Sequence, residues 1–281
     1  MALVEFLDFS FKYLGADSLA LKHINLRIDE GEYVVVTGPS GCGKTTLCRA
    51  INGLVPHFHR GYIGGHVIVD SKDTRENEVS QLAPIAGLVF QDPSNQLVTL
   101  NVEKEIAFGP ENLGVEPSEI RLRVEELITS LHLESLRQKH PHEMSGGEQQ
   151  RVAIAATLAL RPKILVADEP TSNLDPKSAE LILRLIADLN RQGMTIVLVE
   201  HRLDLVSKDA SRMILMDNGC IVADGPPRDV LIMDLCQQIG VGIPKAAQIY
   251  RRLRARGVML PWVPLTGAEL AALVAEAQQR C

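Results

Sequence analysis

A glycine-rich loop between an apolar segment and a predicted helix constrains this chain more than any other feature. The apolar segment Tyr33–Thr37 is predicted to be a strand, and the helix is predicted over about 44–53. The loop and the start of the helix fit the pattern GxxxxGK(S/T), and one further threonine follows. These residues are Gly38, Pro39, Ser40, Gly41, Cys42, Gly43, Lys44, Thr45 and Thr46. Glycines let backbone N–H groups surround a phosphate chain, and the helix N-terminus adds positive potential. This segment therefore predicts a site for a nucleoside triphosphate, with Lys44 reaching the β- and γ-phosphates and the Thr45 hydroxyl binding Mg²⁺.

Two acidic residues mark the end of a second apolar strand. The predicted strand Ile164–Asp168 brings Asp168 to the carboxyl edge of a sheet, where nucleotides bind in α/β proteins. Asp168 can hold Mg²⁺ through water, and Glu169 can polarise an attacking water as a general base. The loop and the acids together predict triphosphate hydrolysis, and they leave open which triphosphate is used and what work it drives.

The order of the predicted elements indicates an α/β fold. Strands are predicted within residues 1–37 and again at 67–69 and 87–90. Residues from about 95 to 160 are mainly helical, and strands then alternate with helices up to about residue 216. This alternation implies a mostly parallel sheet with helices on its faces. The middle helical part is predicted to be an inserted subdomain, and short helices and loops are predicted beyond Gly225.

Composition excludes several classes of protein. The 281 residues are 46% hydrophobic and 23% charged, which is typical of a globular chain with a full core. With 29 basic and 35 acidic residues the net charge is −6, which argues against broad electrostatic binding to nucleic acid. No uncharged apolar run reaches the roughly 18 residues that a membrane span needs, and the N-terminus does not resemble a signal peptide, so the chain is expected to stay in the cytosol. No CxxC pair occurs, and free thiols are predicted for Cys42, Cys48, Cys220, Cys236 and Cys281.

Five further segments resemble the motifs of ATP-binding cassette (ABC) ATPases. Ser145, Gly146 and Gly147 begin a run similar to the signature motif usually written LSGGQ. The other matches are Gln91 for the Q-loop, Asp175 for the D-loop, His201 for the switch histidine and Tyr13 for an adenine-stacking aromatic. Their order and separations match from about residue 3 to 225, so the chain is identified as a member of this family.

The resemblance implies a fold and a domain division. The expected architecture is an α/β P-loop NTPase of ABC type, with a mixed, mostly parallel sheet and an antiparallel N-terminal β-subdomain. The ATPase domain would span residues 1–225 and include a helical subdomain at about 95–160. A short C-terminal helical extension would span 226–281, and it is expected to be a dimer contact.

The resemblance also implies roles for single residues. Gln91 would touch Mg²⁺ and the lytic water, and His201 would contact the γ-phosphate. Ser145 and Gly147 would contact the γ-phosphate of ATP held by the other subunit, and Asp175 would act across the same interface. Spacing alone leaves open whether the signature instead returns to its own phosphate loop.

Some of these residues have ordinary structural interpretations that the sequence leaves open. Tyr13 can be an aromatic at a strand edge, and Asp175 before Pro176 is also a good helix N-cap. The pairs His57/His59 and His140/His142 lack the additional ligands that a metal site needs.

The signature departs from the family pattern at two positions. Met144 replaces the leucine, which is a mild apolar change. Glu148 replaces the glutamine, and an acid in the first helical turn suits the helix dipole. The acid also adds negative charge near a triphosphate, so a direct role of this side chain in nucleotide contact is in doubt.

The stretch 91–112 closely resembles the ATPase subunits of energy-coupling factor transporters. These import vitamins or the ions Co²⁺ and Ni²⁺. The resemblance implies ATP and Mg²⁺ as cofactors, a second identical or homologous ABC ATPase subunit, a transmembrane coupling subunit and a substrate-capturing membrane subunit. The chain would then lie at the cytoplasmic face of the cell membrane, and no nucleic-acid partner is expected.

Two alternatives to this transport function are kept open. One is a soluble ABC ATPase acting on the ribosome or on nucleic acid, and the other is the ATPase of another ABC importer class. For the C-terminal cluster of Arg251, Arg252, Arg254 and Arg256, the first interpretation is a solvated helix face and the second is a dimer contact, and binding to nucleic acid or lipid headgroups is the last alternative.

Overall fold

The computed structural model describes residues 2–279, and its strands form two sheets. Strands and helices are numbered in chain order. The first sheet consists of β1 (Ala2–Tyr13), β2 (Leu21–Asp29), β4 (Gly61–Val69) and β5 (Lys72–Asp73). Its order is β2-β1-β4-β5 and every pairing is antiparallel, as the sequence predicts for the N-terminal part.

The second sheet is central and mostly parallel. Its strands are β3 (Tyr33–Thr37), β6 (Ala86–Val89), β7 (Ile164–Asp168), β8 (Thr195–Val199), β9 (Arg212–Asp217) and β10 (Cys220–Gly225). The order is β10-β9-β3-β8-β7-β6, and only β10 is antiparallel to its neighbour.

Twelve helices surround the two sheets in residues 2–279. They are α1 (Lys44–Ile51), α2 (Leu54–His57), α3 (Val79–Leu82), α4 (Val102–Asn112), α5 (Pro117–Ser130), α6 (Gly146–Leu158), α7 (Pro176–Arg191), α8 (Leu203–Val206), α9 (Pro227–Val230), α10 (Asp234–Gln238), α11 (Lys245–Ala255) and α12 (Gly267–Gln279). Short 3₁₀ turns lie at Pro93–Asn95, Glu134–Leu136 and Pro141–Glu143.

The central sheet is buried on both faces, which explains its continuous apolar strands. In β3, Tyr33 and Val35 belong to one core cluster, while Val34 and Val36 belong to another. The first cluster also contains the buried side chains of α4 to α7, and the second joins the N-terminal sheet and α1 to the central sheet. Because successive strand residues point to opposite faces, a strand between two cores has no polar face.

The structure differs from the predicted elements at several places. Strand β4 begins at Gly61, whereas the prediction covers only 67–69. The helix predicted over 44–53 ends at Ile51, because Asn52 leaves the helical conformation and Gly53 has a φ of 79°. Strand β10 is not among the predicted strands, since all six of its residues are partly or fully exposed and it lacks the buried apolar run of the other central strands. The signal that marks it is the turn Asn218-Gly219, where both residues have positive φ, as a two-residue hairpin requires.

The C-terminal part contains short helices, as predicted, and the division of the chain at residue 225 stays a prediction. Arg251 of α11 forms an ion pair with Asp234 of α10, whereas Arg252, Arg254 and Arg256 are exposed. The dimer contact expected of the extension 226–281 stays a prediction. Across residues 2–279 no helix combines the length and the apolar character that crossing a membrane requires.

Replacing Gly87 of β6 by alanine should destabilise the fold. The added Cβ would lie 2.4 Å from Thr157 Cγ2 on α6 and 3.2 Å from Pro162 Cγ. Overpacking of this kind costs about 1–3 kcal/mol. Urea unfolding should therefore show a lower midpoint for Gly87→Ala. The matched control is Gly267→Ala, where the added Cβ meets no atom within 4 Å. Equal midpoints for the two variants would contradict the close approach of β6 and α6.

Candidate functional site

The site lies at one edge of the central sheet, where three parallel strands end. The phosphate loop follows β3, Asp168 is the last residue of β7, and Glu200 and His201 follow β8. Parallel strands place their carboxyl ends at the same edge, where α/β proteins bind ligands. Segments far apart in the sequence are thus brought together.

The phosphate loop depends on close approaches that only glycine permits. Gly38 has a φ of 151°, and a Cβ there would lie 2.1 Å from the carbonyl oxygen of Met216. Gly43 has a φ of 109°, and a Cβ there would lie 2.5 Å from the carbonyl oxygen of Ala20. The remaining loop residues 39–42 connect these two positions, and α1 begins directly afterwards at Lys44. The predicted strand–loop–helix arrangement is therefore present.

Lys44 is buried and its ammonium group is held inside the loop. The side chain is 4% exposed, and Nζ donates to the carbonyl oxygens of Gly38 at 3.0 Å and Pro39 at 2.9 Å. Anionic oxygens are stronger acceptors for an ammonium group than carbonyl oxygens. The charge is therefore placed where phosphate oxygens can replace the loop carbonyls as acceptors.

Asp168 is a buried carboxylate with one unpaired oxygen. The residue is 6% exposed, and Oδ1 has no hydrogen-bond partner among the described residues. Burial raises the pKa of Asp168, while a hydrogen bond from Thr45 and the nearby Lys44 and Arg49 charges act to lower it. A buried polar atom of this kind requires a partner such as water or a cation.

Thr45, Gln91 and Asp168 line one cavity of about 500 Å³. The cavity also contacts Arg49 and Phe90. A hydroxyl, an amide and a carboxylate all offer oxygen, the donor that Mg²⁺ prefers. The residues at this position thus fit a hydrated magnesium ion.

Glu169 and His201 form a hydrogen-bonded pair. Oε1 of Glu169 lies 2.9 Å from Nε2 of His201, and this bond is the largest cause of a lowered pKa at Glu169. Partial burial of the carboxyl group acts in the opposite direction. Glu169 has a φ of 50°, a conformation that is uncommon for residues other than glycine and is often found at functional sites. The pair keeps the Glu169 carboxylate anionic next to the phosphate loop.

Tyr13 is fixed to the helix that follows the phosphate loop. Its hydroxyl lies 3.1 Å from Oγ1 of Thr46 and accepts a hydrogen bond from Arg49 at 3.3 Å. Its ring makes edge contacts with Phe11 and His59. These contacts place the ring close to the phosphate loop, and adenine stacking by Tyr13 stays a prediction.

The signature residues lie against the segment that begins α7. A Cβ on Gly147 would lie 2.8 Å from Ser178 Oγ, and one on Gly146 would lie 3.3 Å from Leu174 Cδ2. Within residues 2–279, no hydrogen bond connects Ser145 to the phosphate loop. The contacts that the structure gives the signature residues are therefore with the segment that begins α7 and with Glu148.

Asp175 caps α7, as the sequence predicts. Its Oδ1 accepts hydrogen bonds from the backbone N–H groups of Lys177 at 3.0 Å and Ser178 at 3.2 Å. Hydrogen bonds from Ser178 lower the pKa of Asp175. An action of Asp175 across a dimer interface stays a prediction.

Glu148 has a structural role at the start of α6. Its Oε2 accepts from the backbone N–H of Ser145 at 2.7 Å and from the Ser145 hydroxyl at 2.8 Å. The Ser145 hydroxyl in turn accepts from the backbone N–H of Glu148. This is a capping box, and the Ser145 backbone bond is the main cause of the lowered pKa of Glu148. The acid at this position thus holds the signature serine in place.

Sequence reasoning missed the side chains that hold the Gln91 segment. Gln150 of α6 donates to the carbonyl oxygen of Phe90 at 3.4 Å. Gln96 accepts from the Phe90 N–H at 3.2 Å and donates to Thr157 of α6 at 3.0 Å. No local pattern marks these glutamines, because their partners lie far away in the sequence.

Glu200 is a further residue of the site to which the sequence analysis assigns no role. It is 3% exposed, and its carboxylate accepts three hydrogen bonds. The one signal available was an acid at the end of an apolar strand, next to a predicted site histidine.

The described residues contain no group of three or more histidine, cysteine, aspartate and glutamate side chains suited to hold a metal. The rings of His140 and His142 stack with centroids 4.0 Å apart, and His57 bonds to the carbonyl oxygen of Thr74. Cys42, Cys48, Cys220 and Cys236 are free thiols, and Cys281 lies outside the described residues.

Comparison with known proteins agrees with this geometry. The family model described as ABC transporter matches residues 21–172. A putative ABC transporter ATP-binding protein of Pyrococcus horikoshii is 44% identical over 261 residues, covering 92% of this chain and 92% of that protein. The energy-coupling factor transporter ATP-binding protein EcfA1 of Clostridium perfringens is 38% identical over 258 residues, covering 89% of this chain and 90% of that protein.

A longer relative also matches. A putative ABC transporter ATP-binding protein of Methanosarcina mazei is 44% identical over 255 residues, which are 90% of this chain and 43% of that protein. The chain therefore spans less than half the length of this relative.

Two solved structures show the same fold. CbiO1 from Clostridium perfringens, described as part of the ABC transporter complex CbiONQ, has a TM-score of 0.74 at 29% identity, covering 91% of this chain and 95% of that chain. An ATP-binding cassette solved as a dimer in a post-hydrolysis state with ADP and Pi has a TM-score of 0.69 at 31% identity, covering 80% of this chain and 99% of that chain.

Replacing Glu169 by glutamine should keep ATP binding and nearly abolish turnover. The amide preserves the shape of the side chain but cannot accept a proton, and loss of a general base typically costs about 10²–10⁴-fold in rate. Steady-state ATP hydrolysis and ATP binding are the two measurements. The matched control is Glu180→Gln on the exposed face of α7, which should leave both unchanged. Normal turnover by Glu169→Gln would show that another group is the base.

Replacing Lys44 by alanine should weaken ATP binding. The variant loses a buried ammonium group, and hydrogen bonds to charged groups contribute about 1.5–3 kcal/mol, or roughly a 10- to 100-fold higher Kd. Lys163→Ala, at the opposite end of β7 where the lysine pairs with Asp70 on the surface, should bind ATP normally. A thermal melt checks that both variants are folded. An unchanged Kd for Lys44→Ala would remove Lys44 from the site.

Proposed function

We propose that this chain, which belongs to the ABC transporter family of ATP-binding proteins, is the ATP-hydrolysing subunit of a membrane importer of the energy-coupling factor type. Family membership makes the chain an ATPase. The finer assignment is supported above all by the similarity to EcfA1, which extends over most of both chains. The fold similarity to CbiO1 also supports it.

The proposed chemistry begins with the phosphate loop. Backbone N–H groups of Gly38, Ser40, Gly41, Cys42 and Gly43 would bind the phosphates of ATP, together with Lys44, Thr45 and Thr46, while Pro39 shapes the loop without donating a backbone N–H. Tyr13 would stack on the adenine. Glu169 would orient the attacking water and accept its proton, and His201 would contact the γ-phosphate. The observed Glu169–His201 bond places these two groups at the same point of the site.

The oxygen ligands of the 500 Å³ cavity would hold Mg²⁺. Thr45 and Gln91 would bind it directly, and Asp168 would bind it through water, using the buried oxygen that lacks a partner. When bound, the ion would neutralise the negative charge that develops on the phosphate oxygens. Burial of Asp168 then acts to strengthen its interaction with a cation.

A second cassette would complete the site. The signature residues Gly146 and Gly147 lie against the segment that begins α7, and the Glu148 cap holds Ser145. We infer that they bind the γ-phosphate of ATP on an identical or homologous subunit, with Asp175 acting across the same interface. The dimeric state of the related ADP-bound cassette supports this arrangement.

The remaining partners would be membrane proteins. A transmembrane coupling subunit would contact the Gln91 segment, and a substrate-capturing membrane subunit would bring in a vitamin or a transition-metal ion. The chain would act at the cytoplasmic face of the cell membrane. ATP binding would close the dimer and hydrolysis would open it, which is a switch controlled by the γ-phosphate.

Purification of the tagged Glu169→Gln chain from detergent-solubilised membranes with ATP tests this function. An integral membrane protein should elute with the chain, and the wild-type complex placed in vesicles should take up a vitamin or Co²⁺ or Ni²⁺ only with ATP. Lys44→Ala is the matched control and should support no uptake. Sedimentation of the chain with ribosomes or DNA, without a membrane protein, would instead favour the soluble alternative.

A further inference from the structure

Glu200 is a buried carboxylate at the end of β8, directly before His201. Its Oε2 accepts the hydroxyl hydrogen of Thr171 at an oxygen–oxygen distance of 2.5 Å. Its Oε1 accepts the backbone N–H groups of His201 at 2.8 Å and Arg202 at 2.9 Å. Both carboxylate oxygens are therefore satisfied, as a charge with 3% exposure requires.

The three donors belong to two different turns of the site. Thr171 lies in the turn that follows β7, two residues after Glu169, while His201 and Arg202 lie in the turn that follows β8. A second hydrogen bond also joins these two turns, since the Arg202 guanidinium donates to the carbonyl oxygen of Leu174 at 3.1 Å. Glu200 thus connects the turn that carries the Glu169 side chain to the turn that carries the His201 side chain.

The strands themselves do not set this connection. Their pairing ends at Asp168 and Val199, with one more backbone bond from the Glu169 N–H to the Val199 carbonyl. Beyond that point, the hydrogen bonds that join the two turns within residues 2–279 all involve a side chain. The distance of 2.9 Å between Glu169 Oε1 and His201 Nε2 is therefore controlled by contacts that include the Glu200 carboxylate.

Burying a charged side chain in order to join two turns costs free energy of folding. Well-packed apolar residues often stabilise a fold as much as a buried ionic or polar contact does, and polar contacts are more specific in geometry. Glu200 accepts N–H groups that the end of a parallel strand leaves free, and an apolar side chain would leave them unpaired. This combination points to a role in fixing geometry rather than in adding stability.

We propose that Glu200 is a positioning residue for hydrolysis, which fixes the main chain of His201 against the turn that carries Glu169 through its bond to Thr171. The inference rests on the proposed roles of Glu169 and His201. Glu200 and Thr171 have no hydrogen bond to the phosphate loop or to Tyr13 in the described residues. Loss of the connection should therefore affect the chemical step and leave ATP binding intact.

Replacing Thr171 by valine removes the hydroxyl and keeps the shape of the side chain. Misplacement of reacting groups by about 1 Å can cost roughly 10²-fold in rate, so we expect kcat for ATP hydrolysis to fall about 10- to 100-fold while KM for ATP changes less than about two-fold. Thr171→Ser keeps the hydroxyl and should restore most of kcat. The assay uses the full chain together with its membrane partners where these are needed for turnover.

The matched control is Thr195→Val at the opposite end of β8. The Thr195 hydroxyl is buried and accepts the Gly31 N–H at 2.9 Å, far from the site. This variant should lose stability but keep kcat. If Thr171→Val loses stability and also keeps wild-type kcat, Glu200 has only a structural role and the inference is wrong.

A double-mutant cycle tests whether Glu200 acts through His201. Glu200→Ala should lower kcat in the wild-type background and add little to the loss caused by His201→Ala, because coupled residues are not additive. Independent, multiplying losses would overturn the inference. Should Glu200→Ala not fold, Glu200→Gln in the same cycle replaces it.

The activity of Glu169→Gln distinguishes failure of the proposed catalytic roles from failure of the positioning inference. If Glu169→Gln hydrolyses ATP normally, the proposed catalytic roles fail and the positioning inference fails with them. If Glu169→Gln is inactive and Thr171→Val is fully active, only the positioning inference fails.

Discussion

Parallel pairing of β3, β8 and β7 brings the carboxyl ends of three buried strands to one edge of the central sheet. The phosphate loop, the acids after β7 and the Glu200–His201 turn all begin at that edge. Each segment has its own local conformation, but none of them forms a site alone. The two hydrophobic cores hold the sheet from both sides, so the strand ends are fixed relative to one another. The rest of the site depends on this alignment.

Three buried charged side chains share the edge, and each is stabilised in a different way. Lys44 donates to carbonyl oxygens of its own loop. Glu200 accepts three hydrogen bonds from two turns. Asp168 retains an oxygen without a partner among the described residues, and burial raises its pKa. Because an unpaired buried carboxylate is costly, this is the position at which the protein itself leaves room for a hydrated cation.

Helix α6 connects two other parts of the machinery. Its first turn carries Ser145 in a capping box with Glu148, and its later residues Gln150 and Thr157 hold the segment around Phe90 and Gln91. A rigid helix of this kind moves both ends together. A partner that displaces the Gln91 segment would therefore act on the helix that carries the signature residues.

Local sequence determined the parts whose geometry depends on neighbouring residues. The strand Tyr33–Thr37, the glycine-rich loop, the strand Ile164–Asp168 and the Asp175 cap were all predictable, because strand burial, glycine conformation and capping act over a few residues. Strand β10 was also marked locally, by Asn218-Gly219.

Only the tertiary structure decided that Glu169 meets His201, that Glu200 joins two turns, and that the signature lies against α7 instead of its own phosphate loop. These contacts join residues about thirty positions apart, and their distances are set by sheet register and core packing, which no short pattern encodes.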